Sequence, residues 1–342
     1  MKKIWKKAKA YVIAIGVSFA SVGFLIWILG YSPIEAFKTL MFKPFSSKFQ
    51  IVATFQKFVP LLLNTYAFSI PFMIKNFNIG ASGQMLVGGA IVAIVGLAFE
   101  NIHISAWILV PLLLILSFIA GGLFALIAGY LRVKFDINPI ISTIMLNFVG
   151  FYIASFVATT PPWKAPLTGH PMTKELPEWA RLPMLGNELH SGILIAIALI
   201  FVVHYVMSKT TFGFEVEAIG HNPRASQLHG ISIEKTILLT FFFGGAMAGL
   251  AGGIEVMGVH RRLLEGFTAT SGAEFGTFGS LTALMAEGNT IAIPIVAFLI
   301  AVLLNGADSM QRTMMLPVEL VFLTQAIMVI LIVAFRSRFK EG

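Results

Sequence analysis

The sequence predicts an all-α, polytopic transmembrane protein of about ten membrane segments, and three observations carry that prediction. Hydrophobic residues make up 57% of the chain and charged residues only 12%, with a mean hydropathy of +0.86. Apolar runs recur at the roughly 20 residues that a helix needs to cross a hydrocarbon core. Lysine and arginine gather at the ends of those runs, which is the distribution that membrane topology imposes. The formal charge of +8 therefore reads as topology, with membrane lipid as the surroundings and no nucleic acid as partner. The chain has no cysteine, which removes disulfides, thiolate metal sites and thiol catalysis.

The first run, Tyr11 to Gly30, follows the basic start "MKKIWKKAKA". No convincing cleavage site precedes a soluble domain, which favours a retained first helix over a signal peptide. Further runs cover 54–75, 79–99, 106–131, 138–160, 191–208, 236–259, 267–286, 290–308 and 317–335. The run at 267–286, "FTATSGAEFGTFGSLTALMA", is weakly apolar and Gly-rich, so a broken or re-entrant helix is the alternative to a clean span there.

Orientation follows from the basic residues, because Lys and Arg in short loops stay on the cytoplasmic side. Lys2, Lys3, Lys6, Lys7 and Lys9 put the N-terminus inside, and ten spans bring Arg336, Arg338 and Lys340 inside as well. Both termini are thus expected in the cytoplasm. The alternation sends the loop 159–190, with six prolines and two tryptophans, to the outer face, and the loop 209–235 to the cytoplasm. Lys38, Lys43, Lys48, Arg261 and Arg262 fall on the outer side against the rule. A Pro-rich loop anchored by Trp does not call for a separate domain, so residues 1–342 are expected to form one membrane domain.

The common hydrolytic and phosphate-cradling motifs are absent: no G-x-x-x-x-G-K-[ST], no H-E-x-x-H and no G-x-S-x-G. Ionisable residues within apolar runs, Glu255, Glu274, Asp308 and Glu319, are spread over separate segments rather than clustered as a membrane enzyme would need. A charge at mid-bilayer costs at least about 2.5 kcal/mol and faces a cavity or a partner. Glu255 follows Gly245, Gly249 and Gly253, two overlapping G-x-x-x-G steps that permit close helix packing. Two readings stand for Glu255: part of a translocation path, or an interfacial pair with His260 or Arg261. In "KNFNIGASGQMLVGG", Lys75 to Gly89, Asn76, Asn78, Ser82 and Gln84 accompany four glycines at the start of an apolar run. That composition suits an irregular helix start lining a cavity, or else a turn that caps the helix. Asn64, Asn147, Asn305 and Gln325 suit hydrogen bonds between helices.

The most polar interior stretch is "EVEAIGHNPRASQLHGISIEK", Glu215 to Lys235. Asn222 suits an N-cap, Pro223 the first helical position and Gly230 the left-handed residue that stops a helix. The residues between make about two turns, roughly 10 Å. A helix that short needs something to pack against. Ala225 and Leu228 supply a small apolar face, with Arg224 and Gln227 for polar contacts. It is either a connector lying on its own membrane domain or a docking surface for a cytoplasmic partner.

Five stretches in order carry a resemblance. "FNIGASGQ" is similar to an Asn-Ile-Gly-Ala-Glu-Gly-Gln pattern, with Ser82 where Glu is usual; "INPIISTIMLNFV" follows, with Pro139 replacing a common Glu. "AIGHNPRASQLHGI", "LAGGIEVMGVHRR" and "GADSMQRTMMLPVELVFLTQAIMVILIVA" complete the set. Together they resemble membrane permease subunits of ABC importers of the ribose and branched-chain amino acid type, most closely the basic-membrane-protein-associated nucleoside permeases. One region departs from the family pattern: "AEFGTFGSLTALMAEG", Ala273 to Gly288, which weakens any choice of substrate.

The resemblance implies a prokaryotic cell-membrane importer working by alternating access. Its ATPase-coupling surface would comprise Gly220, Asn222, Pro223, Arg224, Ala225, Gln227, Leu228 and Gly230. Its substrate path would involve Phe77, Asn78, Ser82, Gln84, Asn147, Glu255 and Glu274. The chain would bind no cofactor, ATP being used by a cytoplasmic ATPase of two fused cassettes. A second, different permease chain and an extracytoplasmic substrate-binding lipoprotein complete the assembly. A simple sugar of the ribose type is the alternative cargo. A secondary transporter is a further alternative, but it should show internal repeats, and none is evident.

Overall fold

The computed structural model describes residues 16, 17, 20–166, 169–186, 189–265, 275–315, 323, 326 and 327. Eleven named α-helices follow a helical stretch at 20–28: α1 (Pro33–Phe42), α2 (Lys48–Phe72), α3 (Ala81–Ala98), α4 (Ala106–Phe135), α5 (Pro139–Thr159), α6 (Gly192–Lys209), α7 (Thr211–His221), α8 (Pro223–Leu228), α9 (Ile233–Ile254), α10 (Phe275–Ala286) and α11 (Ala292–Met314). A π-helical turn, Glu255–His260, continues α9. The chain divides into two compact units, Met1–Lys57 with Phe298–Gly342, and Phe58–Ala297.

Six helices among the described residues are long and apolar enough to cross a membrane, against the ten expected: α3, α4, α5, α6, α9 with its π turn, and α11. The shortfall has particular causes. Helix α2 has 25 residues, ample length, but Gln50, Gln56, Lys57 and Asn64 dilute its hydropathy. The expected span 267–286 yields a helix of only 12 residues, α10, and its first part lies outside the described residues. The expected span 317–335 and much of 11–30 lie outside them too.

In the unit Met1–Lys57 with Phe298–Gly342, an apolar cluster of Val22, Ile26, Ala36, Leu40, Ala307 and Met310 forms the core. Beside it runs a polar seam. Lys57 Nζ lies 2.9 Å from Asp308 Oδ2, and Asn305 Nδ2 donates to Gln50 O at 2.9 Å and to Thr54 Oγ1 at 2.9 Å. Asp308 is thus neutralised by an ion pair, the expected resolution for a charge on an apolar helix.

In the unit Phe58–Ala297, α9 is the centre and lies against α4 and α3. The glycine ladder permits this. A side chain on Gly249 would overlap the Ser117 carbonyl and come within 2.7 Å of Gly121 Cα. Backbones that close gain dispersion contacts over their whole length, which is the main attraction available between helices in lipid.

The loop after α5 is a strap rather than a free loop. Thr173 N donates to Leu263 O at 2.9 Å, Leu176 N to Arg261 O at 2.8 Å and Leu182 N to Met257 O at 3.2 Å, tying it to the end of α9 and the chain beyond. Lys174 Nζ pairs with Glu100 at 3.0 Å, and Arg262 Nη2 with Glu175 at 3.4 Å. Arg262, one of the basic residues that broke the topology rule, is therefore held by a carboxylate. A two-stranded ribbon, β1 (Met184–Leu185) and β2 (Leu189–His190), closes the strap and delivers His190 to a fully buried position against Gly192 and Gly258.

Candidate functional site

The site best defined by local chemistry is the pair α7 and α8. Thr210 caps α7, its side chain accepting from Gly213 N at 3.4 Å. The spacing of Phe212, Val216 and Ile219 puts one face of α7 on Ile74, with Met73, Met207, Ile233 and Ile237 around it. Helix α8 ends as expected at both sides. Asn222 is its N-cap, accepting from Ala225 N at 3.2 Å, and Pro223 occupies the first position. Gly230 has φ +82°, Ile231 N donates to Ser226 O at 3.1 Å and Gly230 N to Gln227 O at 3.0 Å, a Schellman stop.

The faces of α8 differ from the expectation. Ser226, 4% exposed, is the inward residue and donates to Asn222 O at 2.9 Å; Ala225 is half-buried beside it. Leu228 is 89% exposed, with Arg224 and Gln227 exposed as well. Ala225 and Leu228 therefore do not form one inward apolar face. With the helix lying on Ser226, Leu228 projects away from the chain.

The expectation of a loop over 209–235 omitted α7. Its signal was present in Thr210 as a cap and in the Phe212, Val216, Ile219 spacing. Two glycines fix α7 at its ends: a Cβ on Gly213 would overlap the Met207 carbonyl of α6, and one on Gly220 would overlap the Met73 carbonyl just beyond α2. Helix α7 thus meets the ends of α6 and α2 over backbone contacts. Beside α7 lies a cleft of about 670 Å³, to which that helix contributes Gly213, Val216, Glu217, Gly220 and His221.

The expected substrate-path residues fall into three groups. Asn78 and Gln84, both buried, bond reciprocally: Asn78 Nδ2 donates to Gln84 Oε1 at 3.0 Å and Gln84 Nε2 to Asn78 Oδ1 at 2.8 Å. Asn78 also donates to Ala67 O at 3.1 Å. From α5, Asn147 accepts from Gly83 N at 2.7 Å and donates to Ile79 O at 3.0 Å, while Thr143 accepts from Ile79 N at 3.2 Å. The backbone at 76–80 is irregular, and these side chains supply the partners that a helix would have provided. Phe77 packs edge-on to Phe68 and Phe72, at 6.0 and 5.5 Å between centroids. Ser82, half-buried, meets Gly276 of α10.

Glu255 stands apart, 3% exposed in the π-helical turn, with Oε2 at 3.5 Å from His260 Nε2. The two side chains thus lie close enough to pair, and π turns also recur at functional positions. Glu274 lies outside the described residues. Among the described residues, no group of three or more His, Asp or Glu side chains could hold a metal ion.

Six helices among the described residues that are long and apolar enough to cross a membrane define the class, a multi-pass membrane protein. The chain belongs to the family described as branched-chain amino acid transport system / permease component, whose model matches residues 50–334. It is an ABC transporter permease, a transport subunit rather than an enzyme. It is 31% identical to the guanosine ABC transporter permease protein NupP of Bacillus subtilis, over 97% of this chain and 94% of that one. It is 29% identical to the glucose ABC transporter permease protein TsgB13 of Haloferax volcanii, over 99% of this chain and 90% of that one. It is also 29% identical to the nucleoside ABC transporter permease protein NupB of Lactococcus lactis, over 96% and 92% respectively. No solved structure matches the chain.

Proposed function

We propose that this permease imports nucleosides, as one of two permease subunits enclosing a path across a prokaryotic cell membrane. Both termini and the α7–α8 element face the cytoplasm. A lipoprotein delivers substrate at the outer face, where the strap over α9 lies. An ATPase of two fused cassettes closes on ATP and drives the cycle, so this chain binds no cofactor of its own. The second permease is a different chain.

The observation that carries coupling is Leu228, 89% exposed on a helix stopped at both ends, flanked by exposed Arg224 and Gln227. A leucine so exposed on a rigid two-turn helix fits a groove in a partner, the helix-in-groove mode. For the cargo, similarity over nearly the whole chain to the guanosine permease NupP and the nucleoside permease NupB supports a nucleoside. Similarity of the same extent to the glucose permease TsgB13 supports a simple sugar as the second reading.

The test is uptake by the reconstituted complex. ATP-dependent entry of labelled guanosine should be competed by excess uridine and left unchanged by ribose or glucose. Transport of ribose or glucose alone would overturn the nucleoside reading and keep the sugar one.

A further inference from the structure

The cleft under α7 is lined on one side by Glu217 and on the other by residues from the ends of α2, α6 and the α10–α11 turn. At about 670 Å³ it falls within the roughly 300–1,000 Å³ of small-molecule sites. Its lining includes the apolar Phe72, Met73 and Met207. It also includes polar groups: His204 Nδ1 lies 2.9 Å from Thr290 Oγ1, and Ser208 sits one helical turn beyond His204. The titratable lining groups are one lysine, Lys75, two carboxylates, Glu217 and Glu287, and two histidines, His204 and His221. A lining that mixes an aromatic ring and thioethers with hydrogen-bond donors and acceptors suits a planar, hydrogen-bonding, uncharged molecule. The exposed carboxylate of Glu217 opposes a phosphate placed beside it.

We propose that this cleft binds free nucleoside on the cytoplasmic side, distinguishes it from nucleotide by charge, and slows transport when occupied. The inference rests on the nucleoside-import reading. The physical argument is that α7 meets the ends of α2 and α6 and leads directly into α8, the proposed ATPase contact. A ligand wedged between α7 and the turn at 287–291 adds contacts in one position of α7 and loses them in any other. It therefore shifts the equilibrium toward the position it fits. Phosphorylation of the imported nucleoside would release the restraint, because the nucleotide is repelled.

Two measurements on the assembled transporter test this. Vesicles preloaded with guanosine should take up labelled guanosine several-fold more slowly than empty ones, and vesicles preloaded with GMP at the empty rate. Ser208→Trp, which fills the cleft from its exposed edge, should restrain α7 as a bound ligand would and transport at one slow rate whatever the load. Glu217→Lys, an exposed substitution, should make internal GMP inhibitory. Equal inhibition by internal guanosine in the unaltered and Ser208→Trp transporters, or none in the unaltered one, overturns the proposal. Absence of ATP-driven guanosine uptake into empty vesicles would instead count against nucleoside import. Equilibrium binding of labelled guanosine to the solubilised complex then decides the cleft separately: a component lost in Ser208→Trp and not competed by GMP supports it, and binding identical in both forms overturns it.

Discussion

At Asn78 one side-chain amide serves four partners, the carbonyl of Ala67, both ends of the Gln84 amide and the backbone N–H of Gly80. Asn78 and Gln84 satisfy their amides on each other and on nearby backbone, as buried polar groups must. Their residue types were readable from the chain, but their partners were not, because Asn147 lies 64 positions from Gly83. His190 is a different case. It is fully buried, its ring nitrogens have no hydrogen-bond partner among the described residues, and burial pushes its pKa from 6.5 down to about 4. The unfolded chain then binds more protons than the folded one between those values. Stability is complete above about pH 6.5, falls as pH drops through that window and levels off near pH 4. At pH 5 the loss should be about 2 kcal/mol. His190→Phe should remove that acid sensitivity, and thermal unfolding of the solubilised protein near pH 7.5 and pH 5 checks it. An unchanged pH dependence in the variant would show that the sensitivity resides elsewhere.

Among the elements, α8 was the easiest to derive, since Asn222, Pro223 and Gly230 act within six or eight residues of one another and their geometry is set locally. Which way Leu228 points was not derivable, because it depends on Ser226 being the side that meets α7 and α9. Exchanging Arg224 and Leu228 together, as Arg224→Glu with Leu228→Asp, should abolish copurification with the ATPase and ATP-driven uptake while membrane insertion persists. Retention of both would sink the coupling role. Asn222→Ala should weaken coupling less, removing one cap at a cost of about 1 kcal/mol. In α9 the ladder makes a harsher prediction. Gly249→Val would push the Ser117 carbonyl and Gly121 of α4 away from α9, costing about 3 kcal/mol or more. A denaturation midpoint equal to that of the unaltered protein would contradict the packing described.

For the molecule as a whole, run length and scarcity of charge were enough to define a polytopic membrane protein, and motif order was enough to indicate a permease, because both are properties of contiguous sequence. The number of spans was not. Helix α2 carries Gln50, Lys57 and Asn64 in the polar faces it presents to partners: Lys57 meets Asp308, and Asn64 Nδ2 meets Met85 Sδ at 3.3 Å. Hydropathy averages over a window and cannot tell a polar residue matched by a distant partner from one that ends a span. The strap over α9, the pinning of α7 by Gly213 and Gly220, and the cleft beneath it likewise arise where segments far apart in the chain come within a van der Waals distance. Local rules of capping, periodicity and hydrophobic length are short-ranged and can be read from neighbours in sequence. Contact between distant backbones depends on how every intervening helix packs, and it appears only once the chain has folded.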